Sequence, residues 1–241
     1  MTHSSDGQIS VTYIDHMGSD LTTANAARVS FGKKSTLVCK EGDDCCNRPN
    51  CYGKLSDRDT SLIHYLAKHK HMSPFGHAFA SFHVKAPIFV ARQLVKHKFL
   101  RWNEVSRRYV DDVPEFYVPE VWRGRSADKK QGSEGTVYYH YDKFQHERKG
   151  RTFGVDQLCL EEYRDMLEEG VAPEQARMVL PQSTMTEWWW SGSLDAFADM
   201  CVLRLKDDTQ YETRLVAQMI DKEMATMFPV SWAALVKGDK T

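Results

Sequence analysis

The 241-residue chain contains no apolar run approaching eighteen residues, so no membrane-spanning helix is expected. Its opening, MTHSSDGQIS, has neither a basic region nor an apolar core. A secretory leader is therefore not expected, and a cytoplasmic location follows by default. Neither sign of charge is in excess: 32 Lys and Arg stand against 33 Asp and Glu, for a formal net charge of −1. Domains built to hold nucleic acid through its phosphates are usually strongly basic, so the balance counts against that class. The six cysteines, Cys39, Cys45, Cys46, Cys51, Cys159 and Cys201, include no C-x2-C pair. Four of them run as C-x5-C-C-x4-C, in which adjacent thiols chelate one ion awkwardly. An even count alone does not make a disulfide framework in an intracellular chain. Reduced loop thiols are the favoured reading, and a zinc-dependent interaction module is kept as an alternative.

What is present is concentrated in Arg92 to Tyr109, RQLVKHKFLRWNEVSRRY. Arg92, Lys96, Lys98, Arg101, Arg107 and Arg108 share this stretch with a single acid, Glu104. Val90, Leu94 and Val95 give its first half helical spacing. Cations on an apolar framework suit a bound phosphate or another anion. They also suit a solvated basic face, and they offset the dipole at a helix C-terminus. The second half favours a site, because Asn103, Glu104, Ser106 and Arg108 put an amide, an acid, a hydroxyl and a guanidinium within six residues.

The first element read along the chain is a strand at Ser10 to Ile14, followed by a short helix at Leu21 to Val29. Gly32 to Leu55 reads as a polar, cysteine-containing loop insertion. Ser56 to Lys70 reads as a helix capped by Ser56 or Thr60, and Pro74 and Gly76 then break the chain into a loop. Ala78 to Lys85 is a strand, and Pro87 opens a helix from Ile88 to about Phe99. That helix presents Gln93, Lys96 and His97 near its end. Trp102 to Tyr109 is expected to be extended, which would put Glu104, Ser106 and Arg108 on one side. Val110 to Val121 reads as irregular, and Trp122 to Gly154 as a surface segment with a helical portion. Val155 to Glu169 is an amphipathic helix stopped by Gly170. Pro173 to Leu180 is a short helix, in which Glu174 would hold the Arg177 guanidinium. Gln182 to Trp190 suits a buried strand or an interface. Ser193 caps a helix to Leu205, and Asp207 to Phe228 is another, with Thr209 and Glu212 as its capping box. Strands and helices in irregular alternation indicate an α+β class and one domain over residues 1–241.

Four ordered stretches resemble the flavin-dependent thymidylate synthase family. The family signature R-H-R-x7-S, extended as N-E-x-S-x-R-Y, is similar to Lys96-His97-Lys98 followed by Asn103 to Tyr109, with seven residues between Lys98 and Ser106. Both motif arginines are lysine here. His71 to His77 (HMSPFGH), Gly170 to Pro181 and Arg204 to Glu212 (RLKDDTQYE) are similar to further family segments. Ala26 to Phe31 is a shorter match.

The resemblance implies reductive methylation of dUMP to dTMP, with methylenetetrahydrofolate as carbon donor and FAD, reduced by NADPH, as hydride donor. It implies a homotetramer with active sites between subunits. By the same resemblance Arg204 contacts the pyrimidine and is the catalytic candidate. Gln93, Lys96, Glu104, Ser106, Arg107, Arg108 and Arg177 are the other nucleotide-site candidates. His71, Ser73, Lys96, His97, Lys98, Glu104 and Asp199 are the flavin-site candidates.

Uracil C5 is a poor nucleophile, and two solutions exist. A thiolate can add at C6, but no cysteine here is an obvious nucleophile. Alternatively, a cation at the O2/N3 edge stabilises enolate-like charge and enriches C5, and Arg204 suits this better than a lysine. Ser106 has no evident base beside it, so it is assigned to binding. The departures open a second reading. Lysine is a point charge where arginine grips bidentately. Asp208 stands where the family often has histidine, and Ser193 where it often has a flavin-contacting asparagine. An acid near the base edge could accept from a cytosine amino group, so methylation or hydroxymethylation of dCMP is the alternative. A single-stranded nucleic-acid module, stacking bases on Trp102 and Tyr109, is the second.

Overall fold

The computed structural model describes residues 2–4, 7–38, 53–109, 112–127, 132–139, 146–148 and 151–238. The zinc and loop readings of Cys39, Cys45, Cys46 and Cys51 lie outside these. The chain runs β1 (Thr2–His3), β2 (Ser10–Met17), α1 (Asp20–Arg28), α2 (Asp57–Lys68), β3 (Phe79–Pro87), α3 (Ile88–Leu94) and β4 (Arg101–Glu104). The short strands β5 (Arg123–Arg125), β6 (Ser133–Thr136), β7 (His146–Arg148) and β8 (Arg151–Phe153) follow. Then come α4 (Val155–Glu168), α5 (Pro173–Ala176), β9 (Met185–Ser193), α6 (Leu194–Arg204), α7 (Tyr211–Met227) and α8 (Pro229–Trp232). The mixed helix-and-sheet class is as the sequence implies.

One antiparallel sheet in the order β1-β2-β3-β9-β4 organises the molecule. Strand β3 alternates, burying Ala80, Phe82, Val84 and Ala86 while Ser81, His83 and Lys85 face a polar side. Period-two patterning of this kind fixes which face meets the core. The same alternation explains the three tryptophans of β9. Trp188 and Trp190 are buried and Trp189 is 47% exposed. Trp102 of β4 stacks on Trp188 at 4.3 Å between ring centroids, and Trp190 meets Phe197 of α6 edge-on at 5.5 Å. On the polar side Ser81 and Ser191 hydrogen-bond at 2.8 Å, and His83 approaches Glu187 at 3.2 Å. The two ends of the chain meet where the Asp20 carboxylate accepts from the backbone N–H groups of Val230 and Ser231, at 2.9 and 2.8 Å. It thereby satisfies the first donors of α8.

The expected Ser56 cap forms, with its hydroxyl accepting from the Asp59 N–H at 3.1 Å. Gly170 ends α4 with φ +87°. Five local expectations are corrected. Helix α3 stops at Leu94, not Phe99, because the chain must turn through residues 95–100 to lay β4 beside β9. Pro87 accordingly sits at the N-cap, as the last residue of β3. The extended run ends at Glu104, and a turn closes when the Tyr109 N–H donates to the Ser106 carbonyl at 3.0 Å. Residues 122–154 contain two β-hairpins among the described residues, where a helical portion was expected. The Thr209–Glu212 capping box does not form: the Thr209 hydroxyl donates to the Leu203 carbonyl and Glu212 pairs with Arg123. Ser193 occupies the N-cap of α6 without a side-chain bond.

Candidate active site

Helix α3, the α6–α7 junction and the β5–β6 hairpin enclose a cleft of about 750 Å³. Gln93, Lys96 and Arg204 line it, together with Arg123, Gln210 and Glu212. Arg204 is the last residue of α6, where a cation complements the helix C-terminus. Its guanidinium donates from Nε to His97 Nε2 and from a terminal nitrogen to the Gln93 carbonyl, both at 3.2 Å. A guanidinium cannot accept a hydrogen bond, so His97 Nε2 must carry the lone pair and Nδ1 the proton. The His97 pKa is pushed down to about 4, first by burial and second by the Arg204 charge. At neutral pH the pair is thus a neutral imidazole and a cation. Burial also draws the Arg204 pKa below its ordinary value. The result is a half-buried, oriented cation at the cleft wall, suited to an electron-rich oxygen.

A second groove of about 730 Å³ lies over α1, α2 and the turn after α2. His71 and Ser73 line it with Phe31, Lys33, Arg58 and Tyr65. Tyr65 stacks against His71 with ring centroids at 6.3 Å and an interplanar angle of 13°. The rim is anchored from below. Arg28 donates to the buried Asp59, which also accepts from the Ser35 hydroxyl at 2.8 Å and the Ser56 hydroxyl at 2.7 Å. Burial alone would raise the Asp59 pKa. The bonds from Ser56, Ser35 and Arg28, with the Arg28 charge, outweigh it and hold the carboxyl below its usual range.

The remaining sequence candidates stand apart from both cavities. Glu104 spends its two oxygens on Trp102 Nε1 at 3.0 Å and the Thr186 hydroxyl at 2.8 Å. Arg108 Nε donates to the Ser106 hydroxyl at 3.2 Å and its guanidinium lies 5.0 Å from the Tyr109 ring. Ser106 and Arg108 therefore meet through a turn, not through strand alternation. Arg107 holds the Asp112 carbonyl at 2.8 Å. Lys98 is exposed, and neither Lys96 nor Lys98 has an ion-pair partner among the described residues. Asp199 is exposed on α6, and its pKa is raised first by burial and then by Asp195, against the pull of Lys70. Arg177 is exposed, and its Nε donates to the Glu174 backbone carbonyl at 3.2 Å, where the Glu174 carboxylate was expected. Asp208 lines neither cavity; its carbonyl packs against Gly132.

Sequence reasoning missed Arg123. It belongs to a hairpin that carries no strong period, so nothing in the sequence assigned it. Gln210 and Glu212 were legible as the Q-x-E of the last family-like segment, but Glu212 was assigned to a cap.

A family model described as thymidylate synthase complementing protein matches residues 12–230. A flavin-dependent thymidylate synthase of Thermus thermophilus is 38% identical over 224 residues, covering 93% of this chain and 74% of that protein. A relative of the same name from Kosmotoga olearia is 34% identical, covering 94% and 89%. Among solved structures, the UMP/dUMP methylase PolB of Streptomyces cacaoi bound with 5-Br dUMP superposes with a TM-score of 0.68 at 27% identity, over 95% of both chains. The same methylase bound with 5-Br UMP gives 0.67.

Proposed function

The chain belongs to the flavin-dependent thymidylate synthase family, and from that premise we propose that it methylates dUMP to dTMP, with FAD as its redox cofactor. The observation that carries the proposal is Arg204, a cation held at the cleft wall by the Gln93 carbonyl and a neutral His97. Placed against the O2/N3 edge of a uracil, it would stabilise the negative charge that makes C5 nucleophilic. Neither described cysteine is poised for the alternative chemistry. The Cys201 thiol is raised well above its ordinary pKa by burial, and Cys159 is raised by burial and by Asp156. A protonated thiol is a poor nucleophile, so activation is assigned to Arg204.

The second groove fits the flavin. It pairs an aromatic wall of Tyr65 and Phe31 with Lys33, Arg58 and the polar His71 and Ser73. Such a wall suits a planar ring system and such cations suit a pyrophosphate. Bound there, FAD would supply hydride transfer, with methylenetetrahydrofolate giving the carbon and NADPH the electrons. The two exposed lysines of the motif, with Ser106, Arg107, Arg108 and Arg177, bind phosphate or flavin in this reading. Lys96 lines the nucleotide cleft, whereas Lys98, Ser106, Arg107, Arg108 and Arg177 lie outside the cavities of one chain, which supports a homotetramer with sites shared between subunits. The reading takes residues 1–241 as one domain with residues 32–55 inserted.

The purified protein should carry flavin at about one per chain and convert dUMP to dTMP when given the folate and NADPH. A protein that is colourless and does not bind added FAD contradicts the proposal. UMP belongs in the same assay because the methylase of similar fold has been solved with 5-Br UMP.

A further inference from the structure

Along the wall of the nucleotide cleft runs a directional chain of side-chain hydrogen bonds that begins on the β5–β6 hairpin. Arg123 pairs with the Glu212 carboxylate, which is 4% exposed. Arg123 is itself fixed by the Ser133 hydroxyl, which accepts from its Nε at 2.9 Å, and lies 4.2 Å over the Tyr211 ring. The other Glu212 oxygen accepts from Gln210 Nε2 at 3.2 Å. Gln210 Oε1 in turn accepts from Gln93 Nε2, and Gln93 Oε1 accepts from the Thr213 hydroxyl at 3.2 Å.

The order of donors in this chain is forced from one end. A carboxylate paired with a guanidinium only accepts. Gln210 must therefore turn its NH2 to Glu212 and its carbonyl to Gln93. Gln93 must then turn its NH2 to Gln210 and its carbonyl to Thr213. One Gln210-directed N–H is used, and the second N–H of Gln93 is left for the cleft that the residue lines. An amide can ordinarily present either a donor or an acceptor after a flip of its terminal group. Here the carbonyl is turned inward to the buried Thr213 and the N–H groups are turned toward Gln210 at the cleft wall, so the donor is what the cleft meets.

We propose that Arg123 and Glu212 are positioning residues that fix Gln93 as a hydrogen-bond donor, so that the cleft accepts only an acceptor oxygen of the nucleotide at that point. This rests on the nucleotide reading of the cleft. The oxygen is either the pyrimidine carbonyl that cytosine lacks or a phosphate oxygen. Two variants test it in the flavin-loaded full chain: Glu212→Gln, which can donate as well as accept, and Arg123→Gln, which removes the guanidinium that holds the Glu212 carboxylate against Gln210. Binding of dUMP, dCMP and deoxyuridine is measured for each, with flavin content and Tm as controls.

Loss of the fixed donor is expected to weaken dUMP roughly tenfold, the size of one hydrogen bond to a ligand. If the oxygen is on the base, dCMP gains as dUMP loses and the ratio of their Kd values collapses. If it is on the phosphate, dUMP and dCMP weaken together and deoxyuridine is unchanged. Either pattern supports the device. Variants that hold flavin and bind dUMP like the parent overturn it. So does loss of flavin and of all three ligands together in both variants, which would assign the pair a folding role. Failure of the parent protein to bind any of the three would instead remove the nucleotide reading.

Discussion

Arg204→Lys isolates geometry from charge. Lysine keeps a cation at the end of α6, so the helix terminus stays complemented. It loses the planar fork that donates to His97 Nε2 and the Gln93 carbonyl at 3.2 Å each. An ammonium on a flexible stem offers no fixed direction to a developing oxyanion. Removing one preorganised donor of this kind costs roughly 10²- to 10³-fold in kcat, or about 3–4 kcal/mol of transition-state stabilisation. The loss should fall on kcat more than on dUMP affinity, since the charge that attracts the nucleotide remains. Single-turnover formation of dTMP, with flavin content matched to the parent, is the assay. The lysine variant should fold normally, because Arg204 is only partly buried. A kcat within about threefold of the parent would refute the placement of the activating cation at Arg204.

Three further outcomes follow from the same structure. His97 has its folded pKa depressed to about 4, so the unfolded chain binds the extra proton between about pH 6.5 and 4. Stability from this ring is present above pH 6.5 and lost as pH falls through that window, by about 1–2 kcal/mol given its partial exposure; urea titrations should show that slope reduced in His97→Asn, and an unchanged slope contradicts the assignment. In Gly192→Ala the new Cβ would clash with Leu100 Cδ2 and meet the Phe99 carbonyl at 3.4 Å. It should cost about 1–3 kcal/mol by overpacking and disturb the adjoining Lys96-His97-Lys98 turn, lowering both Tm and flavin retention; retention of both at parental values would show that the turn is not braced there. Trp190→Ala empties the centre of the Trp102–Trp188–Phe197 cluster and should cost roughly 3–5 kcal/mol in denaturant unfolding; a cost under about 1 kcal/mol would mean that the cluster does not carry the core.

The sheet was legible wherever burial imposes a period. Strand β3 and the tryptophan run of β9 announce their buried faces through alternation, and Ser56 announces a helix start through its own chemistry. The legible site residues were those that local sequence presents, namely Gln93, Lys96 and His97 within one turn and Arg204 at a helix end. What the sequence did not reveal depends on contacts across long separations. The early end of α3 is set by where β4 must pair. Glu212 looked like a cap because its partner, Arg123, lies 89 residues earlier in a hairpin without pattern. The separation of His71 and Ser73 from the Gln93–Arg204 cleft follows from packing, which no local motif records.

The central claim is that a cation, not a thiol, activates a uracil nucleotide in this cleft. The most direct test is product analysis of the flavin-loaded protein with methylenetetrahydrofolate and NADPH, offered dUMP, UMP and dCMP in parallel. Formation of dTMP from dUMP, retained when Cys159 and Cys201 are replaced by serine or alanine and abolished in Arg204→Ala, is the predicted result. Turnover of dCMP alone, or dUMP turnover that survives Arg204→Ala and vanishes with a cysteine, would contradict it.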